Sequence, residues 1–227
     1  TLINGGKIHQ KGGSLAIRVL LNYCEKNDLM DIDDIDAIRR RIKIESKDSV
    51  DRFIPNDNDI EKSINYIKEN LENKYLLVYR FMIETGCRYT EAVDFFKTFN
   101  EKHLEIEGDV CAYSHFYLRG KKTSFYLIFT KQLYEDLKPF INKITKKDLI
   151  YLKRKMHREQ ENGTICLKYL RKYCFTTMIK SGITIEVANM INGRSQKSNV
   201  GITHYLNQKE IMVKEYQKVM GKFLELV

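Results

Sequence analysis

The chain has 227 residues, enough for one large domain or a domain with an appended segment. Hydrophobic residues make up 43% and charged ones 30%, as in an ordinary folded protein, and no apolar run approaches the roughly 20 residues that a helical membrane span needs. Lysine and arginine number 39 against 30 acids, a surplus of +9 that favours a polyanionic partner, while five cysteines with no Cys-x-x-Cys pair point to reduced, intracellular thiols and away from a zinc knuckle.

Residues 1–13 are polar and show no clear period; Thr1 in place of methionine reads as the start of a fragment of a longer protein. Leu15, Val19 and Tyr23 suit a helix from Ser14 to Tyr23, and a second is expected over Ile32 to Ile44. The charged run at residues 45–51 then marks a boundary. Pro55 and Asn56 open a helix from Asp57 to Leu71, whose first-turn acids favour the macrodipole. Tyr75 to Glu84 is apolar nearly all round, which predicts a buried helix stopped by Thr85-Gly86. Thr90 is expected to cap the next helix, running to about Phe96.

From Leu104 to Phe129 the period changes to two. Leu104 and Ile106, Val110 to Leu118, and Thr123 to Phe129 predict three strands, with turns at Gly108-Asp109 and at Arg119 to Lys122. Helices resume over Lys131 to Asn142 and Lys146 to Arg158. The second starts near a capping box at Thr145 and Asp148 and carries Leu149, Leu152 and Met156 along its apolar stripe. Its many lysines and arginines read equally as a solvated face or as phosphate contacts. A helix through Lys168 and Arg171 ends at Ser181-Gly182, Thr184 caps another over Ile185 to Met190, and Asn192-Gly193 delivers Arg194. A polar loop from Gln196 to Thr203 precedes His204-Tyr205, and the tail from Gln208 to Val227 is helical with a stripe of Met212, Tyr216, Val219, Phe223 and Val227. The fold class is therefore α+β, mainly helical with a small three-stranded antiparallel sheet.

Two motifs carry chemistry. Lys168 and Arg171 share a helix face, and two neighbouring cations without an acid beside them are best tolerated where an anion docks. Arg88 lies in the turn before a helix N-terminus, where backbone N–H groups also face an anion, and Glu91 one turn on can hold its guanidinium in a bidentate pair. Taken singly, Arg88 reads as a turn residue paired with Glu91, the hairpin lysines as solvated, and any one of the 14 tyrosines as packing.

In order, these segments resemble the tyrosine recombinase, or phage-type integrase, catalytic domain. Thr85-Gly86-Cys87-Arg88-Tyr89-Thr90-Glu91-Ala92 matches its Thr-Gly-x-Arg-x-x-Glu-Ala motif. Lys168 to Arg171 fills its His-x-x-Arg box, Gly193-Arg194 its Gly-His pair, and Tyr205 its nucleophile. Thr176 also falls in place, although Cys174 replaces the usual phenylalanine. Lys168 and Arg194 stand where histidine, or histidine and tryptophan, are usual; such basic replacements, with the Gly-Arg … His-Tyr-Leu wording, look like archaeal virus and plasmid integrases.

The resemblance implies a catalytic domain over residues 51–227, with residues 1–50 the remnant of a DNA-clamping N-terminal domain and a linker. It implies a site of Arg88, Lys122, Lys168, Arg171, Arg194 and the nucleophile Tyr205, supported by Glu91. Lys121 is the alternative hairpin lysine; Lys122-Thr123 fits the pair seen in several members. It further implies a site-specific recombinase that cleaves double-stranded DNA through a 3′-phosphotyrosyl link without metal or other cofactor, acts in the host cytoplasm and assembles as a tetramer through its C-terminal helix, with no membrane partner. Ionising a phenol of pKa about 10 at pH 7 costs about 4 kcal/mol, which fixed cations reduce while also stabilising the phosphorane-like transition state. A type IB topoisomerase-like relaxase would use the same chemistry. A non-catalytic protein in which Lys168 to Arg194 form a helix-turn-helix-like unit is the alternative without chemistry.

Overall fold

The computed structural model describes residues 10–27, 29–41, 52–119, 122–194 and 208–226, apart from the side chains of residues 10–12, 116–119 and 122–124. The chain divides into two compact units, Thr1–Arg52 and Phe53–Val227.

The first unit is a helical pair. Helix α1 (Gln10–Lys26) begins earlier than the apolar spacing predicts, and α2 (Ile32–Arg41) packs Ile35 on Leu21, with Cys24 and Ile38 beside them. Acids at Asp33 and Asp34 and arginines at 39–41 complement the α2 dipole from both ends. Arg39 reaches back to α1, pairing with Glu25 and donating to Asn22 Oδ1 at 2.8 Å. The stretch expected to extend α2 to Ile44, and the boundary at 45–51, lie outside the described residues.

The second unit is mainly helical around a three-stranded antiparallel sheet of order β1-β2-β3. Helix α3 (Asp57–Asn70) starts in a capping box between Asn56 and Asp59. Helix α4 (Asn73–Thr85) is the central element: every residue from Tyr75 to Thr85 is buried, as an apolar surface on all sides demands. Helix α5 (Tyr89–Thr98) follows, then β1 (Leu104–Glu107), β2 (Val110–Arg119) and β3 (Lys122–Thr130). The β2–β3 register slips between Ser114 and Tyr117, so that two β2 residues oppose one on β3, a β-bulge.

Helix α6 (Lys131–Leu137) is shorter than the expected Lys131 to Asn142. Pro139 is the reason: Lys138 before it keeps right-handed helical angles, but Pro139 has no N–H to continue the ladder, and the chain turns through residues 138–143. Helix α7 (Lys146–Arg158) has the Thr145–Asp148 capping box and buries Leu149, Leu152 and Met156 completely. Helix α8 (Leu167–Lys180) stops at Ser181 and the left-handed Gly182. Thr184 caps α9 (Ile185–Ile191) through the N–H of Val187. Helix α10 (Gln208–Leu224) lays Met212, Tyr216, Val219 and Phe223 into the core of its own unit, against α8, α9 and the sheet; Val227 lies outside the described residues. Among the described residues no helix is long and apolar enough to cross a membrane.

Glu84 is one of several buried ionisable groups. Glu84 is buried under the tail, its Oε2 accepting from Thr130 N at 2.9 Å and Thr130 Oγ1 at 2.8 Å. Burial pushes its carboxyl up to about 7 against the Thr130 hydrogen bonds and Arg80, which pull it down. Because the folded value lies above the unfolded one, the native state favours the proton. This contribution is fully present below the ordinary carboxylate range and is lost as pH rises through about 7. Glu84→Gln keeps the acceptor and removes the charge. It is expected to raise the urea midpoint at pH 8 and to change it much less at pH 5.

Candidate active site

Helix α4 ends where the candidate site begins. Gly86 takes φ +56°, a left-handed cap that favours glycine, and a Cβ there would lie 2.9 Å from Cys174 Sγ and 3.0 Å from Asn192 Oδ1. Three segments therefore converge on this turn: the α4–α5 link, α8 and the end of α9. Cys174, where the resemblance expects phenylalanine, fits beneath Gly86 and donates weakly to Glu84 O at 3.6 Å.

The next helix starts differently from expectation. Arg88, not Thr90, is the N-cap of α5, because the Glu91 carboxylate folds back to accept from Arg88 N at 2.6 Å, and Thr90 lies inside the first turn. Glu91 also pairs with Arg88 Nη1, so one carboxylate fixes both the backbone and the guanidinium of the same arginine. The Glu91 side chain is 1% exposed and that of Arg88 23%, so the pair is largely out of water.

Folding gathers Arg88, Arg171 and Arg194. Arg88 Nη2 donates to Gly193 O at 2.9 Å, tying the α5 start to the turn that carries Arg194. Gly193 has φ +57°, and Arg194 N donates to Asn189 O at 2.9 Å, so the turn is closed on α9. Arg171, on the inward side of α8, donates from Nη1 to Gly86 O at 3.0 Å and lies 4.0 Å from Glu91 Oε2. The Arg194 guanidinium stacks over Phe175 at 4.3 Å from the ring centroid.

The electrostatics are those of an under-compensated cation cluster. Burial, then the charge of Arg88, pull Arg171 down to about 10, with Glu91 opposing and Arg194 adding to the depression. Arg194 is likewise lowered, by burial first and by Arg88 second. Among the described residues, Glu91 is the carboxylate in contact with Arg88 and Arg171. An anion of phosphate geometry would relieve their repulsion and accept their planar forks.

Among the other candidate residues, Lys168 is the one whose side chain is described. Lys168, one turn before Arg171, is exposed, with Nζ 4.3 Å from the Tyr169 ring centroid. Lys122 opens β3 opposite Arg119; its side chain, together with Lys121, His204 and Tyr205, lies outside the described residues. Helix α7 reaches the cluster's edge, where Lys153 Nζ sits 4.6 Å from the centroid of Tyr89, the residue after Arg88.

Three features had no signal in the sequence reading: the Gly193 carbonyl as the Arg88 acceptor, buried Asn192 behind Gly86, and buried His115 on β2. His115 Nδ1 lies 3.8 Å from Asp94 Oδ2 on α5. Each depends on pairing between distant segments.

Residues 52–222 match a family model described as archaeal phage integrase. Among solved structures the chain is similar to XerH site-specific recombinase bound to difH substrate in a pre-cleavage complex, at 16% identity and a TM-score of 0.49. That likeness covers 87% of this chain and 61% of the XerH chain. No curated protein matches the sequence.

Proposed function

The chain belongs to the archaeal phage integrase family, and from that premise we propose that it is a site-specific DNA recombinase that cuts and rejoins strands through a phosphotyrosine. The observation that carries this reading is the gathering of three arginines: Arg88 and Arg171 share the buried Glu91 carboxylate, and Arg88 is bonded to Gly193 O in the turn that carries Arg194.

In the proposed reaction Tyr205 releases its phenol proton to solvent, its oxygen attacks a backbone phosphorus, the bond to the 5′ oxygen breaks, and a 3′-phosphotyrosyl link forms. Arg88 and Arg171 hold the two non-bridging oxygens; Arg88 is oriented by Glu91 and Gly193 O, and Arg171 by Gly86 O. Arg194 scarcely titrates and supplies charge and hydrogen bonds alone. The hairpin lysine, Lys122 in preference to Lys121, gives a proton to the departing 5′ oxygen. Lys168 stands at the rim as a further cation. Attack by another 5′ hydroxyl reverses the step and seals the strand. Double-stranded DNA is the substrate, and assembly of four copies on it through α10 requires the tail to leave the cis packing described above.

The helix-turn-helix reading fares less well, because α9 spans only seven residues and buries Ala188 and Ile191. The chemistry is tested by incubating the chain with a pool of nicked duplexes of randomised sequence. The nick lets the short cleaved fragment diffuse away and traps the covalent product. A protein–DNA species that survives denaturation is the expected result; binding with no such species at any pH would leave only a DNA-binding role.

A further inference from the structure

Helix α8 opens against the usual placement of charge. Lys168 lies in its first turn, where the helix dipole is positive and no acid is present, and Lys172 stands one turn on along the same face. Both disfavour a cation there. The fold nevertheless gives the Lys168 ammonium a definite neighbour, with Nζ 4.3 Å from the centroid of the Tyr169 ring.

That ring is itself held. Lys172 Nζ lies 5.3 Å from the same centroid and donates to Phe53 O at 3.0 Å. The Phe53 ring meets Tyr169 nearly at right angles, with 79° between the planes and 4.9 Å between centroids. One turn on, Tyr173 Oη donates to Asp57 Oδ1 at 2.8 Å. The segment from Phe53 to Asp57, stiffened by the buried Pro55, is thus strapped along α8 by Tyr169, Lys172 and Tyr173. The same helix supplies Arg171, whose Nη1 reaches Gly86 O at 3.0 Å. The strap therefore fixes the outer side of the helix whose inner side carries Arg171 into the cluster.

We propose that Tyr169 is a positioning residue: its ring, braced by Phe53, holds the Lys168 ammonium one turn from Arg171, ready for the DNA backbone. The DNA's part in this rests on the strand-transfer reading above; the ring's hold on Lys168 does not. A ring face occupies one side of an ammonium and leaves N–H donors for an anion. It also narrows the rotamers of a long side chain before DNA arrives, so less ordering is left for the moment of reaction.

Two readouts test this. In the first, single-turnover adduct formation on nicked duplexes is timed at saturating DNA. Tyr169→Leu is expected to slow it about twofold to fivefold, the range of an exposed cation–π contact. Tyr169→Phe keeps the ring and should keep most of the rate, while Lys168→Met should slow it at least as much as Tyr169→Leu. Because Tyr169 acts through Lys168, the double variant Lys168→Met/Tyr169→Leu should be no slower than Lys168→Met. A ring that serves packing alone would slow the reaction by the same factor in both backgrounds, and that result would overturn the inference. In the second, the Lys168 ε-methylene protons are followed by NMR without DNA. A ring face shields them, so they should resonate upfield of ordinary lysines in the natural chain and in Tyr169→Phe. They should move back in Tyr169→Leu and part of the way in Phe53→Ala. Ordinary shifts in the natural chain would overturn the inference even if Tyr169→Leu fails to fold. Absence of any adduct in the natural chain would instead defeat the strand-transfer reading and leave the NMR shifts to decide this one.

Discussion

Replacing Glu91 with alanine is expected to remove about 3–5 kcal/mol of folding stability, the usual result of stripping one partner from a buried charge pair. Glu91 is 1% exposed and accepts from the Arg88 backbone and side chain, with Arg171 4.0 Å away. Without it two poorly hydrated guanidinium groups face each other, and Arg171 is already depressed to about 10 by burial and by Arg88. The α5 start also loses the carboxylate that accepts from its N-cap N–H. Glu91→Gln keeps an acceptor for Arg88 N and should lose less. Urea unfolding followed by circular dichroism measures both. A loss below about 1 kcal/mol for the alanine variant, the range of an exposed pair, would mean the carboxylate does not organise the cluster.

Arg171→Lys is expected to slow adduct formation by about 10²–10³-fold, the cost of removing one oriented donor from a transition-state site. Lysine keeps the charge but not the fork. It cannot hold Gly86 O, where Arg171 Nη1 now sits at 3.0 Å, and present a second N–H pair to phosphate at the same time. Folding should suffer little, since a mutually repelled cation is replaced by one that can reach water. The same variant should lose most of the thermal stabilisation that sulfate confers on the natural chain at matched ionic strength, because that gain follows the affinity of the folded state for the anion. A rate within threefold of the natural chain would remove Arg171 from the phosphate site.

What the sequence revealed and what it hid divide along the range of the interactions. The Thr85 to Ala92 motif, the Lys168 to Arg171 box and Gly193-Arg194 are local strings, and the structure brings their three arginines together. Helices α3, α4, α7, α8 and α9 were legible because each carries its own start or stop signal, such as Asn56, Thr145, Thr184 or Gly182. Thr90 misled as a cap because two local solutions competed, and the Glu91 carboxylate closing on Arg88 N prevailed. The helix after β3 ends at Leu137 rather than the expected Asn142, since Pro139 lacks the N–H that the ladder needs. Helical spacing placed Lys168 beside Arg171, yet one helix face can straddle the protein's edge: Arg171 turns in and Lys168 stays out. Glu84 and His115 could not be found at all, since a buried acid and a buried imidazole are defined by neighbours distant in the chain, Thr130 and Asp94.

The most direct test of the central claim is to recover the covalent DNA adduct, digest it and identify the modified peptide by mass spectrometry. A strand-transfer site built on Arg88, Arg171 and Arg194 predicts a 3′-phosphate joined to Tyr205, and loss of the species in Tyr205→Phe with DNA binding intact. An adduct on any other residue, or one that persists in Tyr205→Phe, would contradict the account.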